Sequence, residues 1–93
     1  MVTVTLWCRL ELPGVSSLKE KRRILKSLMT RLRNNFNISI AEVGDNNMLR
    51  STTLGASVTT NSTSFGHQVI AKVVNKIESE PNVILADYQT EAL

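Results

Sequence analysis

Hydrophobic and polar residues alternate strictly over the first twelve positions. The even-numbered residues from Val2 to Leu12 are apolar, and the residues between them are Thr, Trp, Arg and Glu. A period of two is typical of a β-strand that buries one face. Pro13-Gly14 then predicts a turn that ends this strand.

The next stretch, 17–36, has the period of a helix. Its apolar residues recur at steps of three and four and therefore share one face: Leu18, Leu25, Leu28, Met29, Leu32 and Phe36. Ser17, followed three residues later by Glu20, predicts a capping box at the start, and Asn34-Asn35 marks the exit. We expect one amphipathic helix here.

The remaining segments predict three strands and a second helix. Residues 37–43 and 52–60 are rich in β-branched residues, and the turn residues 44–47 follow the first of these stretches. Residues 61–64 offer caps for a helix whose stripe is Phe65, Val69, Val73 and Ile77, widened by Ile70 and Val74. Glu80-Pro81 ends that helix, and 83–90 is a last strand.

The order strand, helix, strand, strand, helix, strand predicts an α+β ferredoxin-like βαββαβ fold. We expect residues 1–93 to form a single domain, with a four-stranded antiparallel sheet and two helices on one face. The other sheet face carries Thr3, Thr5, Trp7 and Arg9, together with Ser57 and Thr59 from the third strand.

Charge is concentrated on the first helix. Residues 17–36 hold seven of the eleven basic residues and one of the eight acidic ones, a net charge of +6, while the rest of the chain is net −3. At about 100° per residue, five cations lie opposite the apolar stripe. They are Lys19, Arg22, Arg23, Lys26 and Arg33, and they are the candidate contacts to RNA phosphates.

Lys21 and Trp7 do not fit these patterns simply. The helical wheel places Lys21 on the buried side, either with its ammonium extending past the edge of the core or as a lysine at the mouth of a crevice. Trp7 lies beside Arg9 on the polar face of the first strand. The pair could stack a nucleobase, although Trp7 lacks a second aromatic partner there. Packing under a loop or in a dimer interface is the alternative.

Features of an enzyme, a metal site or a membrane protein are missing from the sequence. One histidine, His67, and one cysteine, Cys8, do not form a metal cluster, and Cys8 belongs to the apolar set of its strand. We find no Gly-rich phosphate loop and no catalytic constellation, and we expect no cofactor. No apolar run approaches a membrane span, and the lone cysteine is consistent with a cytoplasmic protein.

Several segments resemble one small bacterial family. They are Leu12-Pro13-Gly14, the run 17–23, the run 31–34, Phe36-Asn37 and Ala41-Glu42-Val43. Together they make the chain similar to the YlxP-like family, a domain of unknown function, over nearly its whole length. The resemblance implies a ferredoxin-like fold. Genes of the family often lie beside those for a translation initiation factor and a ribosome-binding factor, which implies a link to ribosomes or RNA.

Three classes of function follow from these observations. The favoured one is an RNA- or ribosome-binding module that uses the basic helix, because Lys and Arg contacts to phosphate supply sequence-independent affinity. The second is a protein-interaction module, most simply a homodimer, that uses the open sheet face and Trp7. A small-ligand-binding domain is the third.

Overall fold

A computed structural model describes all 93 residues of the chain. The chain folds into six elements of secondary structure. They are β1 (Val2–Glu11), α1 (Leu18–Asn35), β2 (Ser39–Gly44), β3 (Ser51–Thr60), α2 (Thr63–Glu78) and β4 (Ile84–Ala92). Each lies within about two residues of the segment that its hydrophobic period predicts.

The four strands form one antiparallel sheet in the order β2-β3-β1-β4. β1 and β3 are the central strands, and each helix connects two strands that are not adjacent. This arrangement confirms the predicted ferredoxin-like fold. It also leaves β2 and β4 as edge strands.

The hydrophobic core lies between one face of the sheet and the two helices. The even-numbered residues of β1 from Val4 to Leu10 are buried, and the apolar stripes of α1 and α2 pack in the same cluster. Both helices therefore cover one face, as predicted. The odd-numbered residues of β1 lie on the opposite, open face.

The start of α1 follows the sequence signal only in part. The Ser17 hydroxyl accepts a hydrogen bond from the Glu20 amide at 3.1 Å, which is the expected cap. The Glu20 carboxylate does not return to the Ser17 amide. It accepts from the Ser16 hydroxyl at 3.5 Å, so only one half of the predicted capping box forms.

α2 packs closely against the sheet at Gly66. A Cβ atom at this position would lie 2.5 Å from Cγ2 of Val4 and 3.0 Å from Cγ2 of Thr60. Phe65, beside it, departs from the predicted stripe because it is 55% exposed. The first turn of α2 therefore places its aromatic ring outside the core.

Candidate functional site

Five cations of α1 lie on one exposed side of the helix, which we call the basic stripe: Lys19, Arg22, Arg23, Lys26 and Arg33. All five are exposed, as the helical wheel predicts. Lys19 and Arg33 are fourteen residues apart, which corresponds to about 21 Å along the helix axis. The basic stripe therefore runs along most of α1.

None of these five cations forms an ion pair. The structure contains three ion pairs: Arg9 with Glu11, Lys21 with Glu42, and Arg31 with Glu80. The five residues of the basic stripe belong to none of them. Arg31, a basic residue of α1 outside the stripe, lies 2.6 Å from Glu80, so its charge is already compensated.

Arg33 is the member of the stripe that contacts the sheet. Its Nη2 donates to the backbone carbonyl of Ile40 in β2 at 3.0 Å. The residue remains exposed. Its guanidinium is therefore anchored at the edge of the sheet and has further donors that can face solvent.

The spacing of the stripe places like charges next to one another. Lys19 is three and four residues from Arg22 and Arg23, and Lys26 is four and three residues from the same two arginines. Like charges at these spacings destabilise a helix by roughly 0.2–0.5 kcal/mol per pair. Thr30 is exposed on the same face between Lys26 and Arg33, and its hydroxyl adds a hydrogen-bonding group that charge alone does not reveal.

Lys21 is a buried structural residue. Its side chain is 1% exposed, and its Nζ donates to the carbonyls of Asp45 at 2.7 Å and Met48 at 2.6 Å. The same Nζ lies 3.1 Å from Oε2 of Glu42. The prediction that the Lys21 ammonium extends past the core into water is therefore wrong. The alternative, a lysine at the mouth of an open crevice, does not describe this buried ammonium either.

Glu42 joins this ammonium to the core of the sheet. Its Oε2 also accepts from the hydroxyl of Thr52, which is fully buried, at 2.6 Å. Three oxygens satisfy the three protons of Lys21. The network holds the β2–β3 loop against the first turn of α1, where the basic stripe begins.

The open sheet face is acidic around Trp7. The indole is 39% exposed, and the nearby Arg9 lies 3.9 Å from Glu11 and opposite Asp87 of β4. Glu91 faces Thr5 in the same sheet. Because three carboxylates accompany one arginine on this face, its charge disfavours a phosphate backbone.

Small and apolar groups adjoin Trp7. Trp7 is paired with Gly55, and a Cβ atom at Gly55 would lie 3.2 Å from the side chain of Val43. A register shift between Glu42 and Gly44 accompanies the exposure of Val43. The exposed side chains of Trp7 and Val43 thus lie on either side of Gly55 on the open face.

Cys8 is a core residue, as its strand pattern predicts. It is 1% exposed, and burial raises the pKa of its thiol to about 11, against a smaller lowering by a backbone hydrogen bond from Leu54. A thiol with this pKa is protonated at neutral pH and a poor nucleophile. No three His, Cys, Asp or Glu side chains are grouped to hold a metal ion.

A groove lies where the end of α1 meets the start of α2, and we call it the aromatic groove. Its volume is about 340 Å³, and its lining comprises Asn35, Phe36, Asn37, Val58, Thr59, Phe65, Gln68, Val69 and Lys72. No carboxylate lines it. The sequence pattern missed this site because it assigned Phe65 to the core; the cluster of asparagines around Phe36 was the available signal.

The strand order and the helix placement define a ferredoxin-like α+β protein. Residues 3–90 match the family described as "Protein of unknown function (DUF503)", and the chain belongs to this family. The "Uncharacterized protein YlxP" of Bacillus subtilis (strain 168) is 32% identical over 84 residues, which cover 90% of this chain and 91% of that protein. The predicted membership in a YlxP-like family is confirmed, and neither description names an enzymatic activity.

One solved structure is similar to this chain at low sequence identity. It is described as a dimeric ferredoxin-like protein from an uncultured marine organism, with a TM-score of 0.47 and 8% identity over 100% of this chain and 94% of that chain.

Neither helix of the structure is long and apolar enough to cross a membrane.

Proposed function

We propose that the protein binds RNA phosphates through the basic stripe of α1, with ribosomal RNA as the recipient. The observation that carries the proposal is that Lys19, Arg22, Arg23 and Lys26 lie together with no carboxylate within ion-pair distance. A cytoplasmic location belongs to the same proposal, since that is where ribosomal RNA is found.

The physical argument rests on uncompensated charge. Surface lysines and arginines keep proteins soluble, but solubility is served by mixed signs, and adjacent like charges weaken the helix that carries them. A polyanion that lies along α1 removes this repulsion. Phosphate contacts of this kind supply sequence-independent affinity by releasing counterions.

Salt dependence tests the electrostatic mechanism directly. We expect a fluorescein-labelled decauridylate to bind with a log affinity that falls against log salt with a slope of roughly −3 to −4, at about 0.7 per contacted phosphate of a single strand. Fluorescence anisotropy at several salt concentrations measures this slope. Binding that does not respond to salt contradicts the proposal.

Charge reversal tests which face is used. Arg22→Glu and Arg9→Glu change the net charge equally, from +3 to +1, and both residues are exposed. We expect Arg22→Glu, and more strongly Arg22→Glu with Lys26→Glu, to reduce affinity similarly for all RNA sequences, because phosphates carry no base code. Arg9→Glu should have little effect. An equal loss of affinity in Arg9→Glu would contradict the proposal and indicate that RNA binds at the open sheet face.

The identity of the recipient needs a separate measurement. We expect the wild-type chain to co-sediment with purified ribosomal subunits at low salt, and the double variant of α1 to remain in the supernatant. If the chain binds free oligonucleotides but not ribosomal subunits, the proposal of RNA binding stands and ribosomal RNA is excluded as the recipient.

A second candidate function is self-association through the open sheet face. Trp7 and Val43 are exposed there on either side of Gly55, and exposed apolar groups of this kind mark interaction surfaces when they are contiguous. This surface lies opposite the helices. Self-association and RNA binding therefore use separate faces and do not compete.

A further inference from the structure

The aromatic groove presents groups for which the folded chain provides no partner. One face of α2 lines it with residues spaced at three and four: Phe65, Gln68, Val69 and Lys72. Across from them lies the end of α1, with Phe36 as its C-cap. Phe36 is half-buried, whereas Phe65 is exposed.

The polar groups of the groove are free to bind. The side-chain amides of Asn35, Asn37 and Gln68 take part in none of the protein's own hydrogen bonds, and Lys72 has no ion-pair partner. Side-chain amides offer both donors and acceptors. The site therefore combines aromatic surface, hydrogen-bonding edges and one cation.

Resting on the proposed function, we infer that this groove is a nucleotide site that takes one unpaired base of the bound RNA against Phe65 and Phe36. Single-stranded bases are bound by stacking on aromatic rings and by hydrogen bonds to their edges. The amides supply the second kind of contact, and Lys72 supplies a cation for the phosphate.

The position of the groove connects it with the basic stripe. Arg33 lies three residues before Phe36, which is about 4.5 Å along the helix axis. A strand that follows the stripe toward the C-terminal end of α1 therefore reaches the groove next. The groove between α2 and β4 is a weaker candidate for RNA because Glu78 lines it.

Mononucleotides test the site without the stripe. The probes are AMP, UMP and ribose 5-phosphate, titrated into ¹⁵N-labelled full-length protein. We expect AMP and UMP to shift the backbone amide signals of Phe36, Phe65 and Gln68, and ribose 5-phosphate to shift them much less. Equal effects of all three probes would overturn base stacking.

Three variants test the site on RNA. Phe65→Ala should lower the affinity for decauridylate by roughly 5- to 150-fold, the range expected for loss of one stacked base, and leave the salt slope unchanged. Lys72→Gln should reduce the slope by about 0.7, the contribution of one single-strand phosphate. Tyr88→Ala is the matched control, since Tyr88 is a similarly exposed aromatic outside the groove.

The outcomes separate this inference from the proposed function. If RNA binding depends on salt but is unchanged in Phe65→Ala, the base site in the aromatic groove is overturned and the proposed function is retained. A second outcome is that the chain binds no oligonucleotide, while mononucleotides shift its amide signals and Phe65→Ala abolishes these shifts. That outcome supports a site for free nucleotides and overturns RNA binding by the basic stripe. If neither ligand binds, both proposals fail.

Discussion

At the scale of single residues, Lys21 shows how a tertiary partner changes the role of a side chain. The helical wheel placed it on the buried side of α1, and the structure agrees. Its partners lie 21 to 27 residues away, at Glu42, Asp45 and Met48. Local periodicity carries no information about such contacts, so the sequence could locate the side chain but not its role.

Replacing Lys21 by Met should destabilise the protein markedly. The substitution leaves the carbonyls of Asp45 and Met48 without this donor, and it leaves the Glu42 carboxylate with only the Thr52 hydroxyl. We expect the free energy of unfolding to fall by about 2–4 kcal/mol, somewhat less than for a fully buried pair because Glu42 retains some exposure. Urea unfolding measures the loss.

The matched control is Lys19→Met, two residues away and exposed, for which a change within about 0.5 kcal/mol is expected. Equal stability of the two variants would show that the buried ammonium contributes nothing. A Glu42→Gln variant completes a double-mutant cycle that isolates the coupling between the two charges.

Cys8 predicts a loss of stability in alkaline solution. Burial raises its pKa from an ordinary value of 9.0 to about 11, so the folded state keeps the proton longer. The contribution is complete below about pH 9 and decreases as the pH rises toward 11. Between pH 8 and 10.5 we expect wild type to lose about 2 kcal/mol more stability than Cys8→Ala. Parallel pH profiles of the two proteins, measured by urea unfolding, would contradict this.

At the scale of helices and strands, the hydrophobic periods were sufficient for most boundaries. β1 and α1 carry regular patterns of period two and about 3.6, and burial follows them closely. Phe65 is exposed although it continues the predicted stripe, because the buried face of α2 is centred on Gly66, Ile70, Val73, Val74 and Ile77 and Phe65 lies at its edge. The aromatic groove was missed for the same reason.

The contact of α2 with the sheet predicts a specific cost at Gly66. Alanine normally stabilises a helix interior by about 1 kcal/mol relative to glycine. Here its methyl group would meet Val4 and Thr60, so we expect Gly66→Ala to lower the stability by about 1–3 kcal/mol. Thermal or urea unfolding provides the measurement.

Gly14→Ala is the control, because nothing lies within 4 Å of a Cβ atom there and the residue has no positive φ. It should be neutral or slightly stabilising. If Gly66→Ala raised the stability instead, α2 and β1 would be less closely packed than their side chains indicate.

At the scale of the whole molecule, the open sheet face predicts a homodimer. We expect light scattering at increasing concentration to approach twice the mass of the 10.3 kDa chain. Trp7→Glu should shift the protein to monomer, because it places a charge in an apolar contact. Tyr88→Glu, on the helix-covered side of β4, is the control. A wild-type chain that stays monomeric at high concentration rules out this interface.

The open face of the sheet and the basic stripe point in opposite directions, and this determines the geometry of any pair of molecules. Two copies joined sheet to sheet carry their stripes on the two outer surfaces. With about 10 Å between the sheets and a helix layer of about 10–12 Å on each side, the stripes are separated by roughly 30 Å. If α1 binds RNA as proposed, such a pair would be bivalent. It would hold two separate RNA segments together, and the second contact would form at the raised effective concentration that the first one creates.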